Sequence, residues 1–161
     1  MSVLQTLRER GDVLVAIAVG GALGSAARWG VAQAFPHSPA GFPWGTWIAN
    51  VSGALLIGIL MAVVTALAPR RYLRPFLGVG VLGGFTTFST YALDARVLAD
   101  AGAFPLAVAY LATTLVVGLA AVYAGLVLGR TAIRARLRLA HRRADRHPEP
   151  GSDLDGDRSS R

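Results

Sequence analysis

Four long apolar runs alternate with short polar or proline-bounded segments along this chain. They cover about residues 13–35, 44–68, 76–98 and 105–128. Each run reaches the roughly 20 residues that an α-helix needs to cross the hydrocarbon core of a bilayer. The pattern therefore predicts an all-α protein with four transmembrane helices. The first run is long for the apolar part of a signal peptide, which favours a retained helix over a cleaved leader.

The chain divides into a transmembrane domain and two polar ends. Residues 1–12 form a short N-terminus, residues 13–129 form the four-helix transmembrane domain, and residues 130–161 form a tail. The tail is Arg-rich to about Arg146 and acidic from Pro148, a composition typical of disorder. Small residues recur at four-residue spacing in Gly20 and Gly24 and again in Gly125 and Gly129, which predicts close helix–helix approach at both places.

The third run contains a stretch that a lipid-facing helix would not need. Residues 83–91 read Gly-Gly-Phe-Thr-Thr-Phe-Ser-Thr-Tyr, with paired glycines, four hydroxyl side chains and three aromatic rings. Irregular backbone at membrane depth survives where it is buried in protein or lines a wet cavity. We predict a helix break at Gly83-Gly84 that belongs to an ion pathway; a plain kink or a packing site is the alternative.

Composition and charge narrow the class of protein. The 161 residues are 53% hydrophobic with a mean hydropathy of +0.50, as expected for a membrane protein. The chain has no cysteine, so disulfides and thiol chemistry are excluded. Its 16 basic residues are all Arg and lie mostly at the ends and in one loop, which favours contact with anionic lipid over nucleic acid.

Acidic residues are absent between Val13 and Leu93 and again between Ala101 and Ala144. Proton-coupled pumps and cation exporters usually place a carboxylate inside the membrane, whereas an anion pathway should avoid one. We therefore expect an anion channel and not an enzyme. A small multidrug-resistance-type exporter and a purely structural membrane subunit are the alternatives.

Residues 83–91 closely resemble the signature of the Fluc (CrcB-type) fluoride channels, a family with a broken third helix. Two further stretches, residues 20–28 and 45–53, agree with that family in order and spacing. The resemblance implies a fluoride-selective channel that exports fluoride passively and lowers its cytoplasmic concentration. It also implies an antiparallel dimer with two pores.

Several polar and aromatic residues are candidates for the pore. Asn50 can donate two hydrogen bonds to an anion, although it could equally clasp another helix. Aromatic ring edges are electropositive and hydroxyls can replace lost water around a small anion. The candidate pore residues are Asn50, Phe88, Ser89, Thr90, Tyr91, Tyr110 and Thr114.

The resemblance gives some of these residues family roles. Asn50 corresponds to an asparagine of the family's pore-lining polar track, and Phe88 and Tyr91 to the two phenylalanines of its aromatic box. Tyr110 and Thr114 resemble the start of a second polar track, which lacks a hydroxyl at Gly118. The family also holds a structural sodium ion through backbone carbonyls, which here belong to Gly83 and Thr86.

One arginine and two tryptophans lie near the ends of the predicted helices. Arg28 either snorkels from the end of its helix or, as the resemblance implies, is the motif arginine that attracts anions in the pore vestibule. Trp44 and Trp47 are expected to anchor the membrane interface.

Arginine placement predicts the orientation. With four spans, both ends and the second loop share one side, which carries twelve arginines against Arg96 alone on the other. This bias predicts both termini in the cytoplasm. An antiparallel dimer then requires a partner inserted the other way, so we expect a heterodimer with an oppositely oriented homologue; a dual-topology homodimer is the alternative. The twelve are Arg8, Arg10, Arg70, Arg71, Arg74, Arg130, Arg134, Arg136, Arg138, Arg142, Arg143 and Arg146.

Overall fold

All regular secondary structure in the described part of the chain is helical. The computed structural model describes residues 3–66 and 71–144. Four stretches are long and apolar enough to cross a membrane, which confirms the predicted all-α fold with four spans. The helices are α1 (Val3–Ala34), α2 (Trp44–Ala66), a π-helical segment (Arg74–Leu82), α3 (Gly83–Phe85), α4 (Phe88–Asp100) and α5 (Phe104–Ala144).

The first and last helices extend beyond the apolar runs. α1 begins at Val3 and α5 continues to Ala144, so residues 130–144 of the expected tail are helical. This section contains no Gly or Pro and is rich in Arg, Leu and Ala, which are all good helix formers. Residues 145–161, which hold the acidic section, lie outside the described residues.

The third span is interrupted, as predicted, but the break lies beyond the paired glycines. Gly83 and Gly84 are helical, whereas Thr86 (φ −82°, ψ 156°) and Thr87 (φ −150°, ψ 126°) are extended. The placement of the break at Gly83-Gly84 was therefore wrong. Gly84 serves close packing instead, since a Cβ added there would lie 2.5 Å from the Gly21 carbonyl oxygen on α1.

Glycines allow the first half of the third span to lie directly against α1. A Cβ added at Gly20 would lie 2.5 Å from the Phe76 carbonyl oxygen, and one at Gly24 would lie 2.0 Å from that of Val81. Real Cβ atoms do not approach backbone oxygens this closely, so any side chain would push the helices apart. The predicted small-residue face on α1 is confirmed.

A second glycine contact joins α2 to α5. A Cβ added at Gly58 would lie 2.2 Å from the Val122 carbonyl oxygen, and one at Gly125 would lie 2.2 Å from that of Leu55. One turn later, Gly129 faces Ala62, so the two helices run parallel. The predicted small-residue contact on α5 is also confirmed.

The helices form an open array with α2 in the middle. α2 contacts both α1 and α5, while no contact joins α1 to α5 within residues 3–66 and 71–144. The π-helical segment and α3 pack on α1, whereas α4 packs on α5. The break at Thr86 and Thr87 is therefore the point at which the third span passes from one side of the array to the other.

Side-chain contacts define the two ends of the array. The Asp12 carboxylate, near the start of the membrane-spanning part of α1, pairs with Arg71 at 2.9 Å and accepts a hydrogen bond from the Tyr72 hydroxyl. This hydrogen bond to a carboxylate raises the pKa of Tyr72. The contact places the start of the first membrane span beside the segment that follows α2.

At the opposite end, aromatic side chains enclose a small core. Its buried residues are Ala95, Leu98, Ala107 and Tyr110. Trp47 packs against this core, and its indole nitrogen is buried without a hydrogen-bond partner in the described structure. Trp44 is 52% exposed, and the interface role expected of both tryptophans stays a prediction.

Candidate functional site

The side chain of Asn50 on α2 holds the break in the third span. Its Nδ2 donates to the Thr87 carbonyl oxygen at 3.0 Å, and its Oδ1 accepts from the Thr87 backbone N–H at 2.8 Å. A carboxamide offers a donor and an acceptor side by side, which matches the N–H and C=O of one extended residue. Asn50 therefore satisfies backbone groups that the interrupted helix cannot satisfy.

The hydroxyl of Thr87 organises the start of α4. Its Oγ1 accepts from the Thr90 backbone N–H at 3.2 Å, which is the N-cap interaction. The same hydroxyl donates to Thr90 Oγ1 at 3.1 Å and lies 3.2 Å from Ser89 Oγ. Ser89 and Thr90 are thus tied to the break through Thr87, which is only 9% exposed.

These side-chain contacts release two backbone carbonyls. In a continuous helix the Gly83 carbonyl would accept from the Thr87 N–H, which here donates to Asn50. The Thr86 carbonyl would likewise accept from the Thr90 N–H, which here donates to the Thr87 hydroxyl. Carbonyl oxygens free of helical donors are hard ligands, so the donor set expected at Gly83 and Thr86 fits a hard monovalent cation.

An open groove runs along the break between α2, α4 and α5. It has a volume of about 390 Å³. Among the candidate pore residues it brings together Asn50, Phe88, Tyr91 and Thr114. The other residues that line the groove are Ala54, Ile57, Thr86, Thr87, Leu115, Gly118, Leu119 and Val122. The groove combines aromatic edges with amide and hydroxyl groups and has no charged residue in its walls.

The two aromatic side chains of the groove differ in exposure and in hydrogen bonding. Phe88 is 79% exposed, whereas the Tyr91 hydroxyl donates to the Leu111 carbonyl oxygen on α5 at 2.8 Å. Their ring centroids lie 5.9 Å apart with the planes tilted by 50°. The tyrosine hydroxyl thus fixes its ring to α5 and does not enter the groove as a free donor.

The two residues of the α5 polar track lie in different surroundings. Thr114 lines the groove, and its hydroxyl donates to the Tyr110 carbonyl oxygen at 2.7 Å. Tyr110 is fully buried, and its hydroxyl lies 3.4 Å from the Asp94 carboxylate. The structure therefore does not bring Tyr110 to the groove wall; its ring supports Tyr91 at a centroid distance of 5.3 Å.

Arg28 lies on α1, away from the groove walls. It is half-buried, and no described residue forms an ion pair with it. The vestibule role suggested for it by resemblance stays a prediction.

Two residues of this region were missed by reasoning from the sequence. Thr87 is the central hydrogen-bonding residue of the break, and a hydroxyl directly before a helical run was an available N-cap signal. Asp94 marks the end of the acid-free stretch, yet its contact with Tyr110 joins different helices and leaves no local pattern.

Comparison with known proteins identifies the family of this chain. The family model described as CrcB-like protein, Camphor Resistance (CrcB), matches residues 15–126. A Nocardia farcinica protein named fluoride-specific ion channel FluC 2 is 48% identical over 123 residues, covering 76% of this chain and 85% of that protein. A Paracoccus denitrificans protein named fluoride-specific ion channel FluC is 47% identical over 114 residues, covering 71% and 91%. The chain belongs to the CrcB family.

Proposed function

We propose that this chain forms a fluoride-selective channel that lets fluoride leave the cytoplasm passively. The observation that carries the proposal is the groove in which Asn50, Phe88, Tyr91 and Thr114 meet beside the helix break. Relatives that share about half of their aligned residues with this chain are named fluoride-specific ion channels. The groove has no carboxylate in its walls, as an anion pathway requires.

Fluoride must lose part of its water shell to pass through such a groove. The exposed ring of Phe88 can offer its electropositive edge, and Asn50 keeps one amide hydrogen beyond the bond to Thr87. Neutral donors of this kind attract an anion without binding it so tightly that it cannot leave. This combination favours passive conduction over coupled transport.

An antiparallel dimer would complete the pathway. The groove is open along one side, and Phe88 projects from the break into that opening. A second subunit covering this face would turn the groove into an enclosed pore and shield the ion from lipid. One such groove from each subunit would give the dimer two pores.

A sodium ion at the dimer centre would be held by the carbonyls of Gly83 and Thr86. Gly83 is exposed, and both carbonyls lack their helical donors. The ion would supply positive charge that draws the carbonyls of two subunits together, a structural role without transport.

The arginines support a cytoplasmic location for both termini. The Asp12–Arg71 pair puts the start of the first membrane span and the second loop at one end of the array. Because α2 and α5 are parallel, residues 130–144 lie at the same end. Arg96, paired with Asp100, follows the break toward the other end. This asymmetry favours contact with anionic lipid of the inner leaflet and a heterodimer with an oppositely inserted homologue.

Fluoride tolerance tests the proposed function in the cell. Deleting the gene in the organism that carries it should lower the highest fluoride concentration at which the cells still grow. Expressing the wild-type chain in the deletion strain should restore that limit. Unchanged fluoride tolerance together with greater sensitivity to cationic drugs would instead support the exporter alternative.

A further inference from the structure

The Asn50 carboxamide is the only side chain from another span that bonds to the extended residues of the break in the described structure. It lies 37 positions before Thr87 in the sequence, so the contact joins α2 to the third span. Both bonds go to one residue and use both ends of the amide. The geometry therefore fixes the orientation of that residue and not merely its distance from α2.

From this contact we infer that Asn50 is the positioning residue that sets the break, and that its effect on conduction passes through Thr87. This inference rests on the proposed channel function but concerns a different step. One Nδ2 hydrogen remains beyond these two bonds, so positioning the break and donating to an anion are separate roles of the same side chain.

The consequences of losing Asn50 follow from the order of contacts along the break. Without its Oδ1, the Thr87 N–H loses its acceptor, and the extended backbone at Thr87 is no longer fixed. Without the extended Thr87, its hydroxyl can no longer cap α4 at Thr90. One side chain thus controls both the carbonyls at Gly83 and Thr86 and the direction in which Phe88 leaves the break.

Three substitutions on α2 separate positioning from ligation. Asn50→Ser removes the two-bond match while keeping a hydroxyl that could donate to an anion. Asn50→Asp keeps the acceptor for the Thr87 N–H but loses the donor to its carbonyl. Ser52→Ala is the matched control, because the Ser52 hydroxyl bonds only to the carbonyls of Ile48 and Ala49 on its own helix.

Residue-resolved hydrogen exchange of the purified protein in sodium-containing buffer without fluoride gives the decisive measurement. We expect exchange at the Thr87 and Thr90 amides to rise about ten-fold in Asn50→Ser, with α1 unchanged. Asn50→Asp should give a smaller rise at Thr90, and Ser52→Ala should match the wild type. Should Asn50→Ser fail to fold, the Asn50→Asp result decides.

Sodium dependence provides a second, independent measurement. The sodium concentration that half-maximally raises the melting temperature should increase about ten-fold in Asn50→Ser and stay unchanged in Ser52→Ala. If the Asn50 variants have the same amide exchange rates and the same sodium dependence as the wild type, the positioning role is wrong, even if their fluoride flux is lower. Absence of fluoride flux in the wild type would instead count against the proposed function and leave both measurements interpretable.

Discussion

The ring of Phe88 lies 5.9 Å from the ring of Tyr91, and only the tyrosine is held by a hydrogen bond to α5. Phe88 is three-quarters exposed at the first turn of α4, directly after the extended Thr87. The pair therefore combines a fixed ring in the groove wall with a ring that projects toward the open side. A closing subunit would meet Phe88 first.

Replacing Phe88 with isoleucine should reduce fluoride flux about ten-fold while the protein still assembles, because an aliphatic side chain offers no electropositive edge. Flux is measured with a fluoride electrode on liposomes that contain the reconstituted protein. Phe104→Ile is the control, since Phe104 is 65% exposed on α5 and lies outside the groove walls. Undiminished flux in the Phe88 variant would leave the aromatic-edge argument without support.

Tyr91→Phe should retain most of the flux, because the ring edge remains. It removes the hydrogen bond to Leu111, so we expect a loss of about 1 kcal/mol in the free energy of unfolding. Thermal or denaturant unfolding of the reconstituted protein measures that loss. If flux disappears while the fold survives, the hydroxyl itself takes part in conduction and the ring edge alone is not sufficient.

Gly24→Ala should destabilise the fold by about 1–3 kcal/mol, since the new Cβ would lie 2.0 Å from the Val81 carbonyl oxygen. Gly30→Ala on the same helix is the matched control, because nothing lies within 4 Å of a Cβ at that position. The melting temperatures of the two purified variants give the comparison. Equal melting temperatures would show that α1 and the third span are not in the close contact described.

Cysteine labelling tests the orientation, because the chain contains no cysteine of its own. A single cysteine at exposed Ala40 should react with a membrane-impermeant maleimide added outside intact cells. A single cysteine at Arg74 should react only after the membrane is opened. Equal labelling of both positions from outside would support dual topology and a homodimer over the heterodimer.

The four spans and the helix contacts were predictable because they depend on local patterns. The lengths of the apolar runs define the spans, and the position of Gly20 and Gly24 on one helical face predicts close helix packing. The broken third span was predictable from its unusual composition. The position of the break was not, because Gly83 and Gly84 also fit a packing role and the extended backbone at Thr86 and Thr87 depends on a side chain 37 residues away.

The candidate site was likewise predictable only in part. Phe88, Tyr91, Thr114 and Asn50 meet in one groove, as their residue types suggested. The burial of Tyr110 was not evident, because it arises from packing between α4 and α5 and from the contact with Asp94. Sequence spacing places a residue on a helical face, but the neighbouring helix decides whether that face is open.

Fluoride efflux from liposomes tests the central claim most directly. The affinity-tagged chain is purified from the membranes of its own organism with whatever partner it retains, and mass spectrometry distinguishes homodimer from heterodimer. Reconstituted with sodium present, this dimer should release trapped fluoride rapidly while chloride is retained, and no proton or sodium gradient should be needed. Replacing sodium with a large organic cation should lower the release. Fluoride release no faster than from protein-free liposomes, or release that requires an imposed gradient of a coupling ion, would contradict the account.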